Sequence, residues 1–189
     1  MTAALADQRV DYGELAPVNG TLVGPDGSPL AGQVVQVQVN SDNVWRTSRR
    51  VTTGADGVFA TDLKPAKRMY VRVRYPGSAD VRGSASPRLL LNLRPLLSFE
   101  RPPRRAVRGR RVLVDGTVAP RKRVVTVVFQ QQVHGRWRKV GARAARTRRG
   151  RFEVSFVPEF RAAYRYYAVA ASDLDTDRGA SEIQSLRVR

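Results

Sequence analysis

Two stretches of the chain carry the sharpest hydrophobic patterning. Residues 33–39 read Gln-Val-Val-Gln-Val-Gln-Val, and residues 123–130 read Arg-Val-Val-Thr-Val-Val-Phe-Gln. β-Branched residues favour extended backbone, and successive side chains of a strand point to opposite faces. A period of two therefore lines up Val35, Val37 and Val39 in the first stretch, and Val125, Val127 and Phe129 in the second. Each stretch predicts the central strand of its own half.

The same alternation recurs around both. Residues 2–9 are a short polar lead, residues 10–13 and 15–23 predict an opening strand, and Gly24-Pro25-Asp26-Gly27-Ser28-Pro29 predicts a tight turn. After a polar turn at 40–43 come Val44-Trp45-Arg46 and residues 50–53, and Asp56-Gly57 marks a hairpin into the strand 58–63. Residues 69–75 turn Val71, Val73 and Tyr75 inward and Arg72 and Arg74 outward, and residues 87–93 place Leu89, Leu91 and Leu93 on one face. The connection 94–103 has no glycine, two tandem prolines and large apolar residues, which predicts a stiff link running straight into the next strand.

The second half repeats the first. Gly13 and Gly20 match Gly109 and Gly116, each 96 residues on. Trp45-Arg46 matches Trp137-Arg138, the hairpin at Asp56-Gly57-Val58-Phe59 matches Arg149-Gly150-Arg151-Phe152, and residues 86–93 match 181–188. About seven short strands per half, frequent turn signals and no helical period predict an all-β fold of two tandem antiparallel β-sandwiches, residues 1–94 and 95–189.

Several of these segments match a family pattern. Val10-Asp-Tyr-Gly13, Gly20-Thr-Leu, Gly27-Ser-Pro-Leu-Ala-Gly32, Asp56-Gly-Val-Phe59, Tyr75-Pro-Gly-Ser78 and the strand 86–93 together resemble bacterial Ig-like repeats, which occur in tandem on secreted and surface proteins. Pro-Leu-Ala-Gly and Asp-Gly-Val-Phe also resemble carboxypeptidase-regulatory-like sandwiches. The Gly-Arg-Trp-Arg-Lys and Arg-Arg-Gly-Arg-Phe hairpins of the second half look like terminal modules on extracellular hydrolases of high-GC actinobacteria. The resemblance implies a non-catalytic spacer, adhesive or wall-binding module at the cell surface, or a virion protein, since Ig-like modules also decorate phage particles. The fold alone fixes no activity.

Charge sharpens the picture. Of the net +18, residues 1–98 hold +4 and residues 99–189 hold +14, and thirty of the thirty-four cations are arginine. Such a surface attracts polyanions, and arginine forks hold phosphate or carboxylate through paired hydrogen bonds. The candidate contacts are Arg104, Arg105 and Arg108, then Arg121, Lys122 and Arg123 in a turn, then Arg146, Arg148, Arg149 and Arg151 around a hairpin. Trp137, Tyr164, Tyr166 and Tyr167 could add stacking surface, although the repeat spacing of Trp45 and Trp137 points to packing. The expected partner is an anionic wall polymer or an acidic protein surface. A nucleic acid is less favoured, because no nucleic-acid-binding signature is present.

Catalysis finds little support. The chain has no cysteine and one histidine, His134, placed at a hairpin tip where no acid would orient it. There is no phosphate-binding glycine loop, and no cofactor is called for. Asp173, Asp175 and Asp177 alternate as in the start of a calcium loop, yet Arg178 stands where a calcium loop needs glycine, so an acidic loop facing arginines is preferred. No apolar run is long enough to span a membrane, and residues 1–7 lack the features of a secretory signal. A non-enzymatic surface module, or alternatively a subunit of a virion or surface fibre, is the expectation.

Overall fold

The computed structural model describes residues 1–189 and contains strands and no helix. The first half holds β1 (Thr2–Leu5), β2 (Arg9–Asp11), β3 (Ala16–Thr21), β4 (Val34–Asn40), β5 (Trp45–Thr52), β6 (Val58–Leu63), β7 (Met69–Gly77), β8 (Arg82–Ala85) and β9 (Leu89–Arg94). The second holds β10 (Leu96–Glu100), β11 (Arg105–Ala106), β12 (Val112–Ala119), β13 (Val124–Val133), β14 (Arg136–Arg146), β15 (Arg151–Phe156), β16 (Ala163–Ala170), β17 (Gly179–Ala180) and β18 (Gln184–Val188). The chain divides into two compact units, Met1–Leu93 with Leu174–Thr176, and Arg94–Asp173 with Asp177–Arg189.

Each unit is an Ig-like β-sandwich, and the strand orders are the same. In the first, β1-β3-β6 faces β2-β9-β7-β4-β5 with β8 added on β7; in the second, β10-β12-β15 faces β11-β18-β16-β13-β14 with β17 added on β16. The central strands are the two valine-rich stretches. Val35 and Val37 of β4, and Val125, Val127 and Phe129 of β13, have no exposed surface. Both pair with a neighbour that carries one extra residue, between Val37 and Gln38 in one unit and between Phe129 and Gln130 in the other. Such a bulge increases the local twist and helps the sheet wrap over its core.

Repeated small details come from repeated residues. Ser86 Oγ accepts from the Val73 amide at 3.0 Å, and Ser181 Oγ accepts from the Ala168 amide at 2.9 Å. Gly20 lies opposite Phe59, and Gly116 opposite Phe152. A methyl group on Gly20 would stand 2.3 Å from the Thr2 carbonyl oxygen and 2.5 Å from the Phe59 ring; on Gly116 it would stand 2.3 Å from the Ser98 oxygen and 2.6 Å from the Phe152 ring. In both units a phenylalanine covers a strand glycine, and the neighbouring strand closes over it.

Three features depart from the sequence reading. Residues 2–5 are a strand paired with β3, not a lead. Residues 10–23 are two strands in different sheets, because the turn at Gly13, with φ +100°, lets β2 leave one sheet and β3 join the other. Finally, β11 runs parallel to β18, so the antiparallel expectation fails along that edge.

The second core is more aromatic than the first. Phe129 stacks on Phe156 with centroids 4.3 Å apart, and Phe99 meets Tyr166 edge-on at 5.0 Å. Tyr164 and Tyr166 are buried in it, which removes them as stacking surface for a ligand. The Tyr166 hydroxyl donates to the Pro103 carbonyl at 3.3 Å, and burial, with a smaller push from Asp115, raises its pKa well above the ordinary tyrosine value. With the folded pKa raised, the unfolded chain loses this proton first, near pH ~10, so the stabilisation is complete below that pH and fades above it. Tyr166→Phe should cost about 1 kcal/mol at neutral pH through the lost hydrogen bond. It should also make the fall in stability between about pH 8 and about pH 11 shallower, as read by guanidinium unfolding; an unchanged slope would contradict the assignment.

Candidate polyanion-binding surface

With one face of each large sheet turned to the core, the alternate residues of β4, β7, β13 and β16 form the outer face, and there the arginines need partners. Two of them find partners of the same kind. The Arg72 Nε donates to Gln38 Oε1 at 2.9 Å, and its guanidinium lies 4.1 Å from the Trp45 ring centroid. The Arg165 Nε donates to Gln130 Oε1 at 2.6 Å, and its guanidinium lies 4.5 Å from Trp137. A glutamine fixes the fork edge-on while the indole takes its flat face, so a cation is held on the sheet without a carboxylate. The packing role expected for the tryptophans is thus a stack on arginine at the outer face. Only the repeat spacing of Trp45 and Trp137 hinted at it, and the glutamine partners were missed.

The basic residues singled out from sequence fall into two groups. Arg104 precedes β11, Arg105 lies on it and Arg108 follows it, at one edge of the second large sheet. Arg121 and Arg123, in the β12–β13 turn, and Arg146, Arg148 and Arg149, around the β14–β15 turn, lie at the opposite edge, where β13 and β14 begin and end. The Thr147 amide donates to the Arg123 carbonyl at 3.0 Å, and the Val118 amide donates to that of Gly150 at 2.7 Å, which ties the two turns together. A depression of about 310 Å³ lies between Arg123 and Arg146, over Val124 and Thr147. The set is therefore not one continuous groove.

Two of the candidates are engaged internally. Lys122 is buried, and its ammonium donates to Asp173 Oδ2 at 2.7 Å and to the Ala171 carbonyl at 3.1 Å, so it secures the loop after β16 and does not face a ligand. Arg151 forms an ion pair with Glu100 across the sheet. In the acidic loop, Asp173 turns to Lys122, and the structure gathers no group of three acidic or histidine side chains that could hold a metal ion among Asp173, Asp175 and Asp177. His134 is exposed in a two-residue turn with Gly135, at φ +49° and +77°.

Arg149 stands out in the retained cluster. The turn Arg149-Gly150 has φ +53° and +82°, a conformation that suits Asn, Asp or Gly and costs other L-residues roughly 1 kcal/mol. In the first unit the matching turn carries Asp56-Gly57, where only the glycine has positive φ. The second unit thus keeps an arginine in left-handed backbone at the hairpin tip among four others, as it keeps His134 at the β13–β14 turn.

Residues 17–87 match the family model of the carboxypeptidase regulatory-like domain. That stretch runs from β3 through β8 of the first unit, and includes the Pro-Leu-Ala-Gly and Asp-Gly-Val-Phe segments. No curated protein matches the chain. Solved structures similar to it include an ICAM-5 ectodomain fragment, at 10% identity and TM-score 0.46, covering 99% of this chain and 53% of that one. A C-terminal fragment of intimin, solved in complex with the intimin-binding domain of the translocated intimin receptor, is 9% identical with TM-score 0.47, covering 99% of this chain and 63% of that one. The chain thus spans between half and two thirds of the length of these two structures.

Arg149→Asn separates folding from surface charge. It should raise stability by about 0.5–1 kcal/mol, because asparagine tolerates the left-handed turn, which thermal unfolding would report. A loss of stability would show that the Arg149 side chain holds the turn instead.

Proposed function

We propose that the chain is a non-catalytic binding module of a surface or extracellular protein, and that its second unit contacts an anionic cell-wall polymer. Support comes chiefly from the cluster Arg121, Arg123, Arg146, Arg148 and Arg149, which two tied turns bring to one end of that unit. Its first-unit counterpart carries no cation: Thr52 and Thr53 sit where Arg146 and Thr147 do, Gln33 and Val34 where Arg123 and Val124 do, as the shared backbone bonds show, and Asp56 stands in the turn matching Arg149. A charge meant only for solubility has no need to gather on one unit, at one end, on a strained turn. No helix is long and apolar enough to cross a membrane.

Retention of the full chain on purified bacterial cell wall should fall steeply between low and high salt. Reversal of Arg146, Arg148 and Arg149 to glutamate should weaken it several-fold more than reversal of Arg49, Arg50 and Arg74, three exposed arginines of the first unit. Equal losses would mean that net charge alone drives retention. Sedimentation as a monomer is expected alongside; defined oligomers would favour a subunit of a larger assembly.

A further inference from the structure

The second unit carries an open groove, of about 710 Å³, over the outer face of β16 and β18. Arg104, Arg161 and Arg187 stand around it, Trp137 lines it, and Ile183 and Ser185 contribute side chains. No carboxylate lines it, and none of the three arginines is tied by a salt bridge to an acid of this chain.

Comparison of the two units explains why the groove is there. The Asn92 amide donates to the Gln8 carbonyl at 2.8 Å, and the Arg187 amide donates to the Arg104 carbonyl at 2.9 Å, so Gln8 and Asn92 are the counterparts of Arg104 and Arg187. One step along, Tyr70 pairs with Leu90 in the first unit, where Arg165 pairs with Ser185 in the second. The Arg88 guanidinium lies 4.9 Å from the Tyr70 ring centroid, while Ile183 replaces Arg88 in the second unit. On this face the first unit therefore carries a tyrosine, a leucine and an arginine, and Tyr70 and Leu90 border a smaller depression of about 280 Å³. The second replaces the tyrosine–leucine pair with a small serine and an arginine that swings onto Trp137, and adds two cations at the rim. The strand pairing at these positions is the same in both units.

Resting on the reading of the second unit as a polyanion binder, we propose that this groove is a recognition site for a strand of anionic polysaccharide. Its cations, Arg104, Arg161 and Arg187, would fork onto carboxylate or phosphate groups, with Trp137 beneath the apolar face of a sugar ring. The chemistry fits a glycan better than a nucleic acid. Strand binders stack successive bases on several aromatic rings, and here one indole is on offer, with one face already taken by Arg165.

The test uses the full-length chain with polygalacturonate as the anionic glycan, dextran as its neutral counterpart and oligothymidylate as the nucleic acid. Arg104→Gln with Arg187→Asn installs the residues that the first unit already carries, so the fold should persist, which circular dichroism would check. The groove assignment expects polygalacturonate binding that perturbs tryptophan emission, and a loss of about tenfold in affinity in the double variant. Dextran should leave emission unchanged. Reversal of Arg146, Arg148 and Arg149 should lower affinity through the field while keeping the emission change. An affinity in the double variant within about twofold of the parent, an unperturbed tryptophan, or tighter binding of oligothymidylate would each overturn the groove, even with wall retention intact. Loss of salt-dependent wall retention in the parent chain would instead remove the reading on which it rests.

Discussion

Burial of one face of β4 and β13 is the constraint on which the other features depend. Val35, Val37, Val125, Val127 and Phe129 have no solvent exposure, and at about 1.5–3 kcal/mol for each fully buried large apolar side chain they anchor cores whose burial stabilises units with no disulfide. Because a strand has only two faces, the polar residues of these strands and their neighbours must then lie together outside. The arginines of β7 and β16 meet that outer face at close range. Gln38 with Trp45, and Gln130 with Trp137, are the means by which one cation in each unit is held there without an acid.

The two units keep this plan and differ in what they put on it. Strand order, the serine that caps β7 or β16 and the glycine under a phenylalanine are the same in both, and each central strand faces a bulge, two residues further along in the second unit. The second unit enlarges its core with Phe129, Phe156, Tyr164 and Tyr166, and secures the loop after β16 by pairing the buried Lys122 with a half-exposed Asp173. Its exterior, by contrast, accumulates arginine. Like charges at this density repel and weaken the compact state, a repulsion that the proposed anionic partner would relieve at the two tied turns and around the β16–β18 groove.

Much of the fold was legible because alternation is a local signal. Val71, Val73 and Tyr75 are buried as the pattern requires, and the spacing of Gly20 and Gly116 marked the repeat before its cause, the Phe59 and Phe152 rings, could be seen. Contacts between distant strands were not legible. Nothing in residues 2–5 announces that they pair with β3. Tyr164 and Tyr166 look like a surface ladder until the register turns both inward, and Lys122 sits in a basic run yet is the one cation of that run drawn inside. The candidate surface was readable as an excess of arginine but not as a geometry: sequence placed Arg104 and Arg146 in one set, and the sheet order sends them to opposite edges. Arg161 and Arg187 were passed over because the groove they border depends on what is small at Ser185.

Amide hydrogen exchange of the full chain tests this dependence most directly. If each unit is built on its central strand, the slowest amides should be those of β4 and β7 in the first unit and β13 and β16 in the second, with β1 and β10 exchanging well before them. Amides of β4 or β13 that exchange as fast as those of β1 or β10 would contradict the account.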